Sequence, residues 1–164
     1  MNTLVSVWDK TGIVELSKEL VDMGWTVYAT EGTANYLESK GVSVKRLSEV
    51  TGLKESKLIK TLHPTVFEHI YSGFFGIVVV NLYDVKEVQD MDIGGVALLR
   101  ASVKNYRKVL PVCRPSLYEE VIERLKSNGI DEGFRLRLAI EAIKYVIDYD
   151  RRILRILEKK IKNI

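Results

Sequence analysis

The chain has 164 residues with a formal net charge of +3, 46% hydrophobic and 29% charged residues, and a single cysteine, Cys113. This composition predicts one soluble globular domain spanning residues 1–164. One cysteine excludes an intramolecular disulfide and zinc sites built from cysteine clusters, and it favours a cytoplasmic setting. The sequence contains no apolar run of membrane-spanning length and no signal-peptide pattern, so we expect neither a membrane nor a secreted protein.

The small positive charge suits an anionic small ligand at least as well as a nucleic acid, which would favour a clustered basic stripe. The basic tail RRILRILEKKIKNI alternates its charges with apolar residues at helical spacing. A solvated helix face is the simpler interpretation of this tail, and an anionic partner is the alternative. We expect no nucleic-acid partner.

Short apolar runs alternate with helix-like segments along the chain, which predicts an α/β fold with a central, mostly parallel sheet covered on both faces. The run GIVVVNLY contains four consecutive β-branched residues without polar alternation, which predicts a strand buried on both faces. The predicted strands are Thr3–Trp8, Trp25–Thr30, Val42–Leu47, Gly76–Tyr83 and Lys108–Cys113. The predicted helices are Thr11–Met23, Gly32–Ser39, Gly95–Asn105, Pro115–Lys126 and a C-terminal segment Glu132–Ile161.

The C-terminal segment has Asp131 as a plausible N-cap. The sequence does not decide whether this helix is interrupted near Tyr149–Asp150. The stretch Thr51–Phe75 has no clear strand and contains LIKTLHP, so we expect a functional loop there.

Two strand-to-helix junctions have the composition of phosphate-binding turns, because a helix N-terminus with a lysine and hydroxyl groups suits an anion. The first, SVWDKTG, contains Asp9 and Lys10; Asp9 as a simple cap and Lys10 as a solvated cation are the alternative. The second, ATEGT, contains Thr30, Glu31, Gly32 and Thr33. Thr33 either caps the helix or holds a phosphate oxygen, and Glu31 should point away from an anion.

Three further motifs carry chemically useful groups. LIKTLHP supplies Lys60, Thr61 and His63, where His63 is either an acid–base group or, more simply, a loop anchor. NLYDV supplies Asn81 and Tyr83 at the end of the buried strand, with a turn-forming asparagine as the alternative. A metal site on His63 and His69 lacks a third ligand, so we expect none.

The segment DIGGVALLRASVKN places Asp92 and Ile93 at the start of a helix and Lys104 near its end. About three helical turns separate Asp92 from Lys104. The two can therefore share a site only if the helix bends or if one of them comes from another subunit.

In their order, SVWDKTG, TEGTANYL, KTLHP, NLY and DIGGVALLRASVKN resemble the IMP cyclohydrolase domain, usually the N-terminal half of a bifunctional protein with AICAR formyltransferase. The resemblance covers nearly the whole chain and extends to VIDYDRRI. It implies a three-layer methylglyoxal-synthase-like fold with a five-stranded sheet and a helical C-terminus. It also implies a homodimer that converts the formylated ribotide FAICAR to IMP and water without a cofactor.

Carried over by position, the resemblance implies that Lys60, Tyr83, Asp92 and Lys104 are catalytic. The implied substrate-binding residues are Asp9, Lys10, Thr30, Glu31, Gly32, Thr33, Thr61, Asn81 and Ile93. The formyltransferase half is absent from this sequence, so a separate AICAR formyltransferase is an implied partner.

Three positions depart from the family pattern. Leu58 stands where an arginine is usual, Glu31 replaces a glycine, and the stretch between KTLHP and NLY is short. Two other proteins of this fold are alternatives: a nucleotide-sensing regulatory module and methylglyoxal synthase. Both would share the phosphate loops, but neither needs KTLHP, NLY and the DIGG-to-KN segment together.

Overall fold

The computed structural model describes residues 1–53 and 61–162. It contains a five-stranded parallel sheet with the strand order β3-β2-β1-β4-β5. The strands are β1 (Asn2–Val7), β2 (Thr26–Ala29), β3 (Lys45–Arg46), β4 (Phe75–Asn81) and β5 (Leu110–Val112). All four strand pairs are parallel, so the predicted mostly parallel sheet is confirmed.

Seven α-helices connect and cover the strands within the described ranges. They are α1 (Ile13–Asp22), α2 (Glu31–Ser39), α3 (Leu47–Thr51), α4 (Pro64–Ser72), α5 (Gly94–Lys104), α6 (Tyr118–Lys126) and α7 (Glu132–Ile161). Helix α1 contacts α2 and α6, whereas α5 contacts α4 and α7. The helices therefore form two layers with the sheet between them, which is the three-layer α/β arrangement that the sequence predicts.

Strand β4 shows why the sequence folds in this way. Six of its seven residues are buried, and Ile77, Val78, Val79 and Val80 are at most 1% exposed. A β-branched run covered on both faces belongs in the middle of a parallel sheet, and β4 does pair with both β1 and β5.

The C-terminal helix is continuous over 30 residues, without a break at Tyr149–Asp150. Its predicted N-cap is confirmed, because the Asp131 side chain accepts a hydrogen bond of 2.7 Å from Phe134 N. Helix α4 begins at Pro64, the position at which proline is best tolerated in a helix. The sequence did not predict the short helix α3, and β3 is shorter than the predicted strand Val42–Leu47.

None of the helices in residues 1–53 and 61–162 is long and apolar enough to cross a membrane.

Candidate functional site

A cavity of about 800 Å³ lies at the carboxyl edge of the sheet, where β1 and β4 are neighbours. From β1 the chain proceeds to β2 and β3 on one side, whereas β4 and β5 lie on the other. The connections leave β1 and β4 in opposite directions and open a crevice between them, which is the usual ligand site of open α/β sheets. Residues after β1, β2 and β4 line this cavity, among them Trp8, Thr30 and Tyr83.

Asp9 closes the turn after β1 rather than facing the cavity. Its carboxylate accepts hydrogen bonds from Thr11 N at 2.9 Å and from Thr11 Oγ1 at 2.7 Å. These bonds, with that from the Thr11 hydroxyl foremost, hold the pKa of Asp9 below its ordinary value. Asp9 lines a separate shallow groove and is not among the residues around the main cavity. The N-cap of α1 is Gly12, without a side-chain hydrogen bond, so Asp9 holds the turn before this helix and does not cap it.

Lys10 lies half-buried between the ends of β1 and β2. Its ammonium group donates to the Val7 carbonyl and to Thr33 Oγ1, the latter at 3.1 Å. Burial lowers the pKa of Lys10, and the nearby Asp9 carboxylate opposes that shift. Within the described residues, no salt bridge to Lys10 is present. A partly desolvated cation that is hydrogen-bonded only to neutral groups suits an anionic ligand.

The start of α2 supplies the second part of the candidate anion site. Thr30 is the N-cap residue, and Gly32 and Thr33 lie in the first turn, where backbone N–H groups point out of the helix. Thr33 Oγ1 also lies 3.2 Å from the Val7 carbonyl and 3.3 Å from Val7 N, which joins the start of α2 to the end of β1. A Cβ at Gly32 would meet nothing within 4 Å, so this part of the turn is open to a ligand.

Glu31 points away from the cavity, as expected for a carboxylate next to an anion site. Its side chain pairs with Arg46 and accepts a hydrogen bond of 3.0 Å from Ser48 Oγ. The carboxylate therefore joins α2 to β3 and α3. Any contribution of Glu31 to a ligand comes from the position of its backbone in the first turn of α2 and not from its charge.

Asn81, the last residue of β4, forms hydrogen bonds with the turn between β1 and α1. Its Oδ1 accepts hydrogen bonds from Trp8 N at 2.7 Å and from Asp9 N at 2.9 Å, and its Nδ2 donates to the Asp9 carbonyl at 2.8 Å. The side chain lines the cavity but is only 5% exposed. The structure therefore gives this amide a role in holding the β1–α1 turn, in addition to the predicted contact with a ligand.

Two glycines let the segment after β4 approach the rest of the site. A Cβ on Gly94 would lie 2.3 Å from Thr61 Oγ1, and one on Gly95 would lie 2.7 Å from Leu82 Cδ2. Asp92, which is 9% exposed, accepts a hydrogen bond of 2.6 Å from Gly95 N. The glycine pair thus brings Thr61 and Asp92 to the same wall of the cavity.

Two tyrosines of α7 hold this wall from behind, and sequence reasoning missed them. Tyr145 OH accepts from Leu82 N at 3.0 Å, and Tyr149 OH accepts from Asp92 N at 2.8 Å. Burial raises the pKa of both phenols, so they stay protonated at neutral pH. Their spacing of four residues on one face of the C-terminal helix is the sequence signal that points to them.

The mouth of the cavity is lined by large apolar side chains that are exposed to solvent. Four large side chains that line it are between 40% and 57% exposed. They are Trp8, Leu62, Tyr83 and Ile93. Trp8 and Leu62 are additional lining residues that the sequence motifs did not single out. The cavity therefore pairs a cationic, hydroxyl-rich end with an aromatic and aliphatic mouth, a combination that suits a phosphorylated aromatic compound.

Lys104 and His63 lie outside this arrangement. Lys104 is at the far end of α5, about 15 Å along the helix axis from Gly94. Its ammonium group lies 5.7 Å from the centre of the Tyr71 ring. His63 Nδ1 accepts a hydrogen bond of 3.3 Å from Thr65 N and caps α4, so it has the predicted anchoring role. Lys60 and Leu58 lie outside the described residues, and their predicted roles stay predictions.

No group of three or more potential metal-ligating side chains occurs in residues 1–53 and 61–162. The polar groups around the cavity are hydroxyls, amides, backbone N–H groups, Lys10 and the carboxylates of Asp84, Asp90 and Asp92.

The sheet order and the cavity at its switch point define an open, doubly wound α/β domain with a candidate site for an anion. The MGS-like domain family matches residues 12–106, and the AICARFT/IMPCHase bienzyme family matches residues 102–164. The chain belongs to the MGS-like domain family, and its C-terminal part matches the AICARFT/IMPCHase bienzyme family. The resemblance predicted from the motifs is thus confirmed.

The individual relatives agree with this assignment. The chain is 37% identical to the bifunctional purine biosynthesis protein PurH of Staphylococcus carnosus and 38% identical to that of Macrococcus caseolyticus. Each match covers 92% of this chain and 37% of the relative, so the chain spans little more than a third of their length. The crystal structure of ForH superposes with a TM-score of 0.88 at 27% identity, covering 96% of this chain and 97% of ForH.

Proposed function

We propose that this domain is an IMP cyclohydrolase, which closes the purine ring of FAICAR to give IMP and water. One observation carries the proposal: a single cavity joins the two phosphate-type turns to the wall formed by Thr61, Tyr83 and Asp92. A domain that only bound phosphate would need the turns alone. The PurH relatives, which are named for purine biosynthesis, support the same reaction.

The cavity suggests how the ribotide binds. The 5′-phosphate would occupy the cationic end, held by Lys10, Thr30 and Thr33 together with the N–H groups at the start of α2. The imidazole with its two substituents would then extend towards Tyr83 and the Asp92 wall, with Ile93 at the mouth. At about 800 Å³ the cavity is large enough for a nucleotide.

The reaction breaks the carbon–oxygen double bond of the formyl group, forms one new carbon–nitrogen bond and makes the bond to the formamido nitrogen a double bond. The carboxamide nitrogen attacks the formyl carbon of the same molecule, which forms the carbon–nitrogen bond of the ring. The formyl oxygen then leaves as water, with one proton from the carboxamide nitrogen and one from the formamido nitrogen. Both reacting groups belong to one substrate, so holding them in the attacking conformation can supply roughly 7–11 kcal/mol of the barrier reduction.

The remaining work is proton transfer and stabilisation of charge on oxygen. Asp92 would orient the attacking amide or accept its proton, because its carboxylate lies on the buried wall of the cavity. Tyr83 and Lys104 would bind the formyl oxygen and protonate it as it leaves. Lys60 would stabilise the developing negative charge.

Lys104 can take this role only as part of a homodimer. It lies at the opposite end of α5 from Asp92, and α5 is one continuous helix. Helix α5 runs without a break from Gly94 to Lys104, which favours the second of the two possibilities, and we propose that Lys104 comes from a second subunit. Each active site would then combine Asp92 and Tyr83 of one copy with Lys104 of the other.

The proposed setting is the cytoplasm, where an AICAR formyltransferase activity would supply FAICAR. The single cysteine is buried, and burial raises its pKa to about 11, so it stays a thiol and takes no part in the reaction.

The direct test is to add FAICAR to the purified chain and to follow the ultraviolet absorbance of IMP as it forms. Lys104→Ala should abolish turnover and leave IMP binding largely intact, whereas the matched control Lys159→Ala, also exposed, should remain fully active. Absence of turnover in the wild-type chain, together with tight binding of a purine nucleotide, would favour a nucleotide-sensing module instead.

A further inference from the structure

Trp8 presents an indole ring at the mouth of the main cavity. It is the first residue after β1, it lines the cavity, and it is 54% exposed. Among residues 1–53 and 61–162, no hydrogen bond, aromatic contact or cation–π contact to its ring is present. Tryptophan rings usually bury most of their surface and give the indole N–H a partner. The indole of Trp8 is therefore a flat apolar surface of which more than half stays open to a ligand.

The second tryptophan of the chain has a structural role instead. Trp25 is partly buried and packs against the hydrophobic core. A Cβ added to Gly76 would lie 3.3 Å from two carbon atoms of its ring, so Trp25 lies against β4. It is not among the residues that line the cavity. Because the chain has only these two tryptophans, each can be studied in a variant that lacks the other.

The backbone on both sides of Trp8 is held by side chains of neighbouring elements. Trp8 N and Asp9 N donate to Asn81 Oδ1 at 2.7 and 2.9 Å. On the other side, Val7 N donates to Thr33 Oγ1 at 3.3 Å. These bonds fix Trp8 between the end of β4 and the start of α2 before any ligand arrives. A side chain whose backbone is already fixed loses less freedom on binding, which favours its use as a ligand contact.

The position of Trp8 decides which part of a ligand it can meet. It precedes the turn that carries Lys10, whose ammonium group lies 3.1 Å from Thr33 Oγ1 at the cationic end of the cavity. A compound whose phosphate lies at that end would extend its ring past Trp8 towards the mouth. An apolar indole gains by covering the ring and not the phosphate, because only the ring has apolar surface to remove from water.

Another part of the chain supplies a second apolar surface for the ring. Leu62 and Ile93 line the same cavity and are 40% and 57% exposed. They belong to one wall, because their chain neighbours pack together: a Cβ on Gly94 would lie 2.3 Å from Thr61 Oγ1. A planar ring between this wall and Trp8 would have apolar surface on both of its faces.

We propose that Trp8 selects a planar heterocycle in this cavity by stacking its indole on the ring of the bound ribotide. Stacking on an aromatic side chain depends on a flat face and tolerates different ring substituents. In the proposed reaction the carboxamide nitrogen and the formyl carbon both become atoms of a planar ring, so they must lie near the plane of the imidazole. An indole against the imidazole would favour that conformation. Selection of a flat ring rests on the cavity alone, whereas the effect on ring closure rests on the proposed function.

Tryptophan fluorescence tests whether the ring of a ligand reaches Trp8, since stacking on a purine quenches an indole. IMP should quench the wild type and Trp25→Phe, which keeps Trp8. It should leave Trp8→Phe, which keeps Trp25, unchanged. Ribose 5-phosphate, which lacks a base, should quench none of the three proteins. Quenching of Trp8→Phe as strong as that of the wild type, or bound IMP without quenching of Trp25→Phe, would overturn the proposal.

Calorimetry separates contact with the ring from contact with the phosphate. Trp8→Ala should weaken IMP binding about 5- to 150-fold, the range for loss of one base-on-aromatic stack. Its binding of ribose 5-phosphate should stay as in the wild type, whereas Lys10→Met should weaken the binding of both ligands. An equal loss for both ligands in Trp8→Ala would mean that the substitution disturbs the turn, and no loss for IMP would place Trp8 outside the site. Either result would refute the stacking.

Two further variants separate a flat face from general apolar cover. Trp8→Phe keeps an aromatic ring and should retain most of the affinity for IMP and most of the turnover of FAICAR. Trp8→Leu keeps apolar bulk without a flat face, so it should bind IMP as weakly as Trp8→Ala. It should also lower kcat, because the effect on ring conformation acts after binding. Equal values for the phenylalanine and leucine variants would contradict stacking.

The same measurements distinguish this proposal from the proposed function. If the wild type fails to cyclise FAICAR while Trp8→Ala selectively loses IMP, the function is wrong and the contact between Trp8 and the ring stands. If the wild type cyclises FAICAR while Trp8→Leu changes neither kcat nor the affinity for IMP, the function stands and the role of Trp8 is refuted.

Discussion

Replacing Asn81 with alanine should loosen the turn that forms the anion site. The substitution removes three hydrogen bonds, two of them to Trp8 N and Asp9 N and one to the Asp9 carbonyl. At about 1 kcal/mol for each bond, the free energy of unfolding should fall by roughly 3 kcal/mol. For a domain of this size that corresponds to a decrease in Tm of about 6–12 °C.

The functional effect should appear first in phosphate binding. The turn that Asn81 holds carries Lys10, so a displaced turn moves the ammonium group away from its place beside Thr33. Titration calorimetry with ribose 5-phosphate, which lacks a base, isolates this effect. We expect Asn81→Ala to weaken binding of this compound by at least tenfold at a temperature where the variant is folded.

Asn81→Asp sharpens the test. The new carboxylate can still accept from the two N–H groups, but it loses the donor to the Asp9 carbonyl and places negative charge beside the phosphate. Its binding of ribose 5-phosphate should therefore recover as the pH falls and the new carboxyl group takes up a proton. Asp131→Ala, which removes the N-cap of α7 far from the cavity, should lower Tm without changing binding.

One result would refute this reasoning. If Asn81→Ala binds ribose 5-phosphate as well as the wild type and loses only kcat with FAICAR, the amide acts on the base and not through the turn.

Three further predictions follow from single contacts. Lys10→Met should weaken phosphate binding about 10- to 100-fold, the equivalent of about 1.5–3 kcal/mol for a charge-assisted bond. Because burial lowers the pKa of Lys10, wild-type affinity should decline with rising pH earlier than an ordinary lysine would allow, and calorimetry should find that this decline is absent from Lys10→Met. In the ligand-free chain the pH dependence of stability has the opposite sign. The unfolded state binds that proton more tightly, so the contribution of Lys10 to the free energy of unfolding increases as the pH rises from the lowered to the ordinary pKa. Gly94→Ala places a Cβ 2.3 Å from Thr61 Oγ1 and should cost about 1–3 kcal/mol in urea unfolding, with a raised KM for FAICAR; an unchanged KM would contradict the close packing of this wall. His63→Ala should cost about 0.5–2 kcal/mol through the lost cap of α4 while kcat changes little, and a large loss of kcat would restore His63 as an acid–base group.

The sequence predicts the sheet well, because its signals are local. The apolar run Gly76–Tyr83 corresponds to β4 at Phe75–Asn81, and the turns after β1 and β2 line the cavity, as expected for residues at the carboxyl ends of parallel strands. The order of the strands is not a local property. It depends on how strands and helices from distant parts of the chain pack together, and the sequence of a single strand does not contain that information.

Side-chain partners were the harder part of the site. Asp9 and Glu31 stand beside the phosphate turns in the sequence, yet their carboxylates bind Thr11 and Arg46. Lys104 shares a motif with Asp92, but α5 separates them. In each case the residue type was informative, and the direction of the side chain was decided by contacts with elements distant in the chain.

The two tyrosines of α7 have a consequence for how this domain can be shortened or recombined. The MGS-like match ends at residue 106, but the exit of β4 and the backbone of Asp92 are held by phenols that lie about 40 residues further along the chain. A fragment that ended at residue 106 would keep every residue that lines the cavity. It would lose the hydrogen bonds from Leu82 N to Tyr145 and from Asp92 N to Tyr149 that hold the cavity wall. A fragment that is to keep the geometry of this cavity must therefore include the C-terminal helix, because that helix holds the cavity wall in place.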